Sequence, residues 1–235
     1  ISRMSGALDA YYIRGVSHNI GFLAALVAHP RFVSGNMNTN LIAEEYPDGF
    51  HPQDLPAEDP MLQVSVAASI HRALQDRAAQ ISGQAEDHGR HVSDDWIVVL
   101  KDGRHPVTVR PASDGFHVII DGKTHELETD WQLGEPMMRG ALDGREICIQ
   151  VERVGIAYRL THGGSQDDIL VLSKTVAALN ELMPIKEPPD TSKLLLSPMP
   201  GLLVSVDAVV GQEVKSGDTL AVIEAMKMEN VLRAE

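Results

Sequence analysis

The sequence predicts an α+β chain that is mostly β. An antiparallel eight-stranded barrel surrounds one long helix, flanked by an N-terminal helical remnant and a partial β-hairpin module at the C-terminal end. Three observations carry this. Between Trp96 and Ser173, about eight short runs show period-two alternation or β-branched enrichment, and turn residues separate them. Directly before them, residues 60–82 form an apolar run at helical spacing whose apolar coverage extends around most of the helix. After Lys193, short strand-like runs alternate with turns at P-M-P-G, V-G-Q and S-G-D.

The first 45 residues read as helices. Ile1, Met4, Leu8 and Tyr11 recur on one helical face, and Gly15 ends it. Ser17 is placed to cap a second helix carrying Ile20, Leu23, Leu26 and Val27, and Pro30 stops it. Asn36, Asn38 and Asn40 mark a loop. These pieces are too short to form a domain alone and must pack on something, which we expect upstream. Pro47, Pro52, Pro56 and Pro60, among many acids, read as a linker over residues 46–60. Asp59 then caps the long helix, with Pro60 at its first position. Leu62, Val66, Ile70, Ala73, Leu74 and Ile81, with Ala67, Ala68, Ala78 and Ala79 on other faces, predict enclosure on several sides.

The strand runs are W-I-V-V-L-K, P-V-T-V-R, F-H-V-I-I, T-H-E-L-E-T, P-M-M-R-G-A-L, E-I-C-I-Q-V, I-A-Y-R-L-T and D-I-L-V-L-S. The D-G pairs between them suit tight hairpins, where glycine takes positive φ without steric cost. Strands in hairpin order beside one apolar helix favour a barrel around that helix; a bent, solvated sheet with the helix outside is the alternative. Residues 174–183 form a short helix. Pro184 to Ser192, containing I-K-E-P-P-D, is a stiff charged linker.

Composition narrows the function. The chain has 235 residues, 43% of them hydrophobic, with 33 acids against 20 bases and a net charge of -13. Such a surface repels phosphate and argues against nucleic-acid binding. No apolar run reaches membrane-spanning length. The lone cysteine, Cys148, sits in a strand-like run and reads as a packed small residue; it favours a reducing compartment. The chain opens on Ile1 without a cleavable signal pattern, and we read it as part of a longer protein.

The sharpest chemical signal is A-V-I-E-A-M-K-M-E-N-V, Ala221 to Val231. A strand runs into Lys227 and another runs out, so the lysine falls on a hairpin tip with its stem in solvent. Met226 and Met228 flank it, and Glu224 and Glu229 stand further out as solvated acids. Two large thioethers at a tip suit a surface read by several partners. Amine exposure on a rigid scaffold is what an attachment enzyme needs to acylate one lysine and ignore the rest. His88 and His91 lack a third nearby ligand and read as solvated, so no metal site is expected. H-G-G-S at 162–165 lacks the strand-to-helix context of a phosphate loop and reads as a hairpin turn.

A-M-K-M, with S-P-M-P-G (Ser197 to Gly201) ahead of it, resembles the attachment signature of biotin carboxyl carrier domains. Lipoyl domains share the hairpin but typically place an acid before the lysine and a small residue after it. The likeness extends further. Y-Y-I-R-G-V-S-H-N-I-G-F-L and H-P-R-F-V-S-G-N-M-N-T resemble the end of a biotin carboxylase domain. The helix-and-barrel segment and L-M-P-I-K-E-P-P-D-T-S-K-L-L-L-S-P-M-P-G are similar to the subunit-contact domain and carrier junction of propionyl-CoA carboxylase α subunits. The resemblance implies three parts: residues 1–45 from the carboxylase domain, 46–185 for subunit contact, and 193–235 as the first half of a quasi-symmetric carrier fold.

It implies covalent biotin on Lys227, with Met226 and Met228 completing the cofactor-binding motif, and no catalytic residue in this segment. ATP, Mg and bicarbonate would serve a biotin carboxylase part upstream, which carboxylates the biotin ureido nitrogen. The carboxyl group would then pass in a carboxyltransferase β subunit to propionyl-CoA, giving methylmalonyl-CoA. Further implied partners are the biotin carboxylase domain of the same chain and biotin protein ligase, within a hetero-oligomer of six α and six β chains. The implied compartment is bacterial cytoplasm or mitochondrial matrix. Sister α subunits for 3-methylcrotonyl-CoA or geranyl-CoA, or a lipoyl-type module, are the alternatives. We expect the barrel loops and the P-P-D segment to bury the partner contact.

Overall fold

The computed structural model describes residues 1–55, 59–83, 89–101, 103–184, 194–225 and 228–234. They fall into two units, Ile1–Met183 and Pro184–Glu235.

In the first unit, α5 (Pro60–Ala79) runs into a closed barrel of β1 (Asp95–Leu100), β2 (Gly103–Ala112), β3 (Gly115–Ile120), β4 (Lys123–Glu128), β5 (Met137–Leu142), β6 (Arg145–Val154), β7 (Ala157–His162) and β8 (Ser165–Leu172). Each strand pairs antiparallel with the next, and β1 closes on β8 through Ile97↔Leu172, Val98↔Val171 and Val99↔Leu170. The turns follow the expected chemistry. Asp121–Gly122 and Asp143–Gly144 both take positive φ, as tight hairpins of this hand require. The H-G-G-S run is the β7–β8 turn.

The helix is inside. Leu62, Val64, Val66, Ala67, Ala68 and Ile70 pack against Val98, Val109, Val118, Leu127, Met138, Ile149, Leu160 and Ile169. An eight-stranded barrel normally has room only for side chains. The helix fits because it is thin there: Ser65, Ala67, Ala68 and Ser69 are fully buried and small. Enclosure covers Leu62 to Ile70; from His71 onward the helix emerges and is half-buried to exposed. It ends at Ala79 rather than Ser82, since Ile81 is left exposed and Gly83 turns left-handed. Asp59 caps it, accepting from the Leu62 amide at 3.1 Å.

The N-terminal helices differ from expectation. The first, α1 (Ser2–Asp9), stops before Tyr11, because Asp9 is drawn to the β7–β8 turn. Its carboxylate accepts from Gly163 N at 2.9 Å and lies 3.3 Å from His162 Nδ1, while Gln150 Nε2 donates to its carbonyl at 3.1 Å. The next helix, α2 (Ile20–Ala28), is preceded by Asn19 rather than capped by Ser17. Pro30 does end it, and also opens α3 (Pro30–Val33); α4 (Leu41–Glu45) follows. These helices have their support within the chain. Gly164 packs so tightly on α2 that an added Cβ would lie 2.6 Å from Ala25 N and from Gly21 O.

Residues 46–55 are not a free linker. Tyr46, Phe50 and Phe22 stack edge-to-face with centroids 5.4 to 5.8 Å apart, and Gln166 N donates to Pro52 O at 3.1 Å. Pro56 lies outside the described residues. The last helix of this unit, α6 (Lys174–Glu181), is capped by Ser173, and Arg104 Nη1 holds its Ala177 carbonyl at 2.8 Å.

The second unit holds β9 (Leu202–Val206), β10 (Thr219–Ala225) and β11 (Met228–Arg233), with β10 central. It buries Ala221, Ile223 and Ala225, while Leu202, Leu203, Val204 and Val206 of β9 stay exposed. Among the described residues, no helix of the chain is long and apolar enough to cross a membrane.

Candidate functional site

The lysine motif lies in the second unit. The central strand β10 reads T-L-A-V-I-E-A, and Ala221, Ile223 and Ala225 turn to its one buried face. It pairs with β11 through Val222↔Val231, Ile223↔Asn230, Glu224↔Glu229 and Ala225↔Met228. Positions 226 and 227 alone separate the last paired residues. Met226 and Lys227 lie outside the described residues. Met228 is described: it opens β11 with 66% of its surface exposed. Glu224 and Glu229 are exposed, as expected.

The S-P-M-P-G segment comes to the same end of the sheet. Leu202 pairs with Glu224, which brings Gly201 against the last residues of β10. A Cβ on Gly201 would meet Glu224 O at 2.6 Å, Ile223 Cγ2 at 2.8 Å and Ala225 Cβ at 3.1 Å. Only glycine permits that approach. Ser197 Oγ donates to Met199 O at 2.5 Å, closing the turn. Asn230 Nδ2 lies 3.5 Å from both Met199 Sδ and Met228 O. Asn230 therefore ties the upstream turn to the strand leaving the lysine. It was missed in the sequence because it reads there as one more polar strand residue. Two exposed thioethers, Met199 and Met228, flank one edge of this region. Around positions 226 and 227 the described residues form a paired scaffold, a turn held close by glycine, and two exposed thioethers.

Comparison with known proteins gives the same picture. The family model described as "Propionyl-coenzyme A carboxylase BT domain" matches residues 64–186, and "Biotin-requiring enzyme" matches residues 193–235. The propionyl-CoA carboxylase alpha chain of Ruegeria pomeroyi is 42% identical over the whole chain, which covers 35% of that relative. The chain belongs to the propionyl-CoA carboxylase α-chain family. The mitochondrial propionyl-CoA carboxylase alpha chain of Mus musculus is 34% identical over the whole chain, covering 33% of that relative. The mitochondrial methylcrotonoyl-CoA carboxylase subunit alpha of the same species is 22% identical, again over the whole chain and 34% of the relative. The chain thus spans about a third of the length of the curated relatives it matches. It corresponds to the biotin-carrying, C-terminal part of an α chain of this family, and its cofactor is covalent biotin.

The remaining candidates sort by chemistry. His91 is exposed, and His88 lies outside the described residues. No group of three or more metal-ligating side chains occurs among the described residues. Cys148 is half-buried in β6 with its Sγ 3.8 Å from Met137 Sδ, and burial pushes its thiol up. The linker segment 185–193 lies outside the described residues.

One polar cluster was invisible in the sequence. Asp167, 2% exposed, accepts from Gln63 Nε2 at 2.9 Å and pairs with Lys101 Nζ at 2.6 Å; Lys101 also reaches the Gln53 carbonyl. The expected strand began at Asp168, three residues after the observed start at Ser165, which left Asp167 unassigned. The cluster ties α5, β8 and the 51–54 segment together at one barrel mouth.

Proposed function

We propose that this segment is the carrier arm and docking platform of an ATP-dependent propionyl-CoA carboxylase, with biotin joined by an amide to Lys227. The observation that carries the reading is the β10–β11 register with Gly201 seated against Glu224 and Ala225. That register leaves only positions 226 and 227 between the last paired residues, Ala225 and Met228. Met226 and Met228 then flank the cofactor. The higher identity to propionyl-CoA carboxylase relatives than to the methylcrotonoyl-CoA relative favours propionyl-CoA, with methylmalonyl-CoA as the product.

The parts divide at residues 1–45, 46–185 and 193–235. The first belongs to the biotin carboxylase domain of the same chain, whose ATP, Mg and bicarbonate chemistry lies in the rest of that domain. The second docks the carboxyltransferase β subunit. The third is recognised by biotin protein ligase and carries the cofactor. Bound biotin supplies a ureido nitrogen that accepts and releases a carboxyl group. The chain's own residues anchor the tether, and residues 184–192 set its reach. Tethering replaces diffusion with a high local concentration when the linker spans both sites. Bacterial and mitochondrial relatives fit cytoplasm or mitochondrial matrix.

The test removes residues 46–185 from the complete α chain. Loss of the carboxyltransferase subunit in a pull-down, with the Lys227 peptide still biotinylated by mass spectrometry, is the expected result. Retained binding refutes the docking role, and an unmodified Lys227 refutes the carrier role.

A further inference from the structure

A half-open cavity of about 430 Å³ lies where α5 leaves the barrel. That volume is within the usual range of ligand pockets. Ile70 and Leu74 of α5, Trp131 and Leu133 of the β4–β5 loop, Val151 of β6 and Tyr158 of β7 wall it. It exists because β4 and β5 pair only at Leu127↔Leu142 and Glu128↔Ala141, so residues 129–136 swing away from the barrel wall. Trp131 Nε1 donates to Glu135 O at 2.9 Å and fixes that loop.

The rim is cationic. Arg14, Arg77 and Arg153 line it. Two carboxylates are nearby, but each is engaged: Glu152 pairs with Arg14, and Glu135 accepts from Gln132 N at 3.1 Å. Arg153 stands opposite Tyr158 in the β6–β7 register, and directly opposed residues share a face, so Arg153 is on the barrel-mouth side. It donates to its own hairpin at Gly155 O, 3.3 Å away. Among the described residues, neither Arg77 nor Arg153 has an ion pair. On a chain of net charge -13, two unpaired arginines over an apolar cavity select an anion joined to an apolar group.

We propose that this mouth is the anchor pocket for the carboxyltransferase subunit, taking a bulky apolar side chain flanked by carboxylates on that subunit. The inference rests on the reading of the barrel as the docking platform. A desolvated apolar anchor ringed by complementary charge is the arrangement in which a few residues dominate an interface. Arg77 and Arg153 are themselves exposed, so changing them spares the core.

The experiment mixes the complete α chain with the carboxyltransferase subunit and measures the dissociation constant at low and high salt. The Arg77→Glu/Arg153→Glu variant should assemble at least tenfold more weakly at low salt, with the loss shrinking at high salt. Arg77→Gln/Arg153→Gln should show a smaller loss, and guards against misfolding of the reversal. Carboxylation of free biotin by the isolated α chain should be unchanged in both. If both variants assemble as wild type while deletion of 46–185 abolishes assembly, the pocket is overturned and the platform stands. If the deletion itself still assembles, the platform falls, and the pocket with it. Arginine-dependent binding of decanoate to an α chain whose variants assemble normally would also overturn the proposal, in favour of a small amphipathic ligand.

Discussion

Ala225 of β10 stands directly opposite Met228 of β11, one 6% exposed and the other 66% exposed. A buried small residue pins the end of one strand, and the thioether opposite it projects into solvent. The register leaves only positions 226 and 227 between them. Lys227→Arg in the complete α chain should therefore abolish biotin incorporation, read by avidin blot, while the melting curve is unchanged. Gly201→Ala should slow incorporation by biotin protein ligase several-fold. Its Cβ would press on the Glu224 carbonyl at 2.6 Å, a backbone atom that cannot swing aside. Normal incorporation in the alanine variant would show that the S-P-M-P-G turn does not position the motif.

The barrel interior offers a cleaner stability test. Ser65 and Ser69 are fully buried, and their hydroxyls have no hydrogen-bond partner among the described residues. A desolvated hydroxyl without a partner is costly, and alanine is the better helix former. Ser65→Ala and Ser69→Ala should each leave stability unchanged or raise it by up to about 1 kcal/mol. Ser65→Leu should lower it by about 1–3 kcal/mol, since the space between α5 and the wall is filled. Urea unfolding of the three variants decides; a loss in both alanine variants would mean the hydroxyls are satisfied in solution.

Legibility followed locality. Asp121–Gly122 and Asp143–Gly144 were readable because a left-handed turn needs these residue types within two positions. The helix was readable because Asp59 and Pro60 are adjacent to the run they start. The barrel itself was readable from eight strands in hairpin order beside one apolar helix, but the pair that closes it, Ile97 with Leu172, was not, since no local pattern records that pairing. The buried Asp167 was hidden for a related reason: its partners, Gln63 and Lys101, are far away in sequence. Asp9 ended its helix early for the sake of Gly163 and His162, again a contact between distant segments. At the candidate site, A-M-K-M was legible as a motif, whereas the bond from Asn230 to Met199 became visible only with the strands paired.

Gly164 joins the N-terminal helices to the barrel. It holds φ +84, and its Cα faces Ala25 N and Gly21 O. Gly164→Ala adds left-handed strain and a clash with two backbone atoms, together about 2–4 kcal/mol. The cost should appear locally: limited proteolysis should cut within residues 10–35 of the variant while the barrel, residues 95–172, stays protected. Uniform destabilisation of the whole chain would refute this local account.

His71 gives a pH dependence with a defined sign. It sits where α5 emerges, edge-on to Trp96 and Tyr158, with ring centroids 4.5 and 6.0 Å away. Arg90 Nη2 donates to Gln75 Oε1 at 2.5 Å, which turns the Gln75 amide nitrogen toward His71 Nε2 at 3.2 Å. That ring nitrogen must then accept, so the neutral ring carries its proton on Nδ1 and donates to Tyr158 Oη at 3.1 Å. A second proton would set two donors against each other. Burial first, then the positive charges of Arg153 and Arg90, push the His71 pKa down to about 4 from 6.5. The unfolded chain therefore binds this proton at a pH where the folded chain does not. Above pH 6.5 the residue contributes no pH dependence. Between 6.5 and about 4, folding stability falls as pH drops, by at most about 1.4 kcal/mol per unit from this group. His71→Gln keeps a polar contact but cannot titrate. Its deficit against wild type in urea midpoint at pH 7.5 should shrink steadily as pH falls to 4.5. A deficit that stays constant across that window would show that His71 takes up its proton equally in both states.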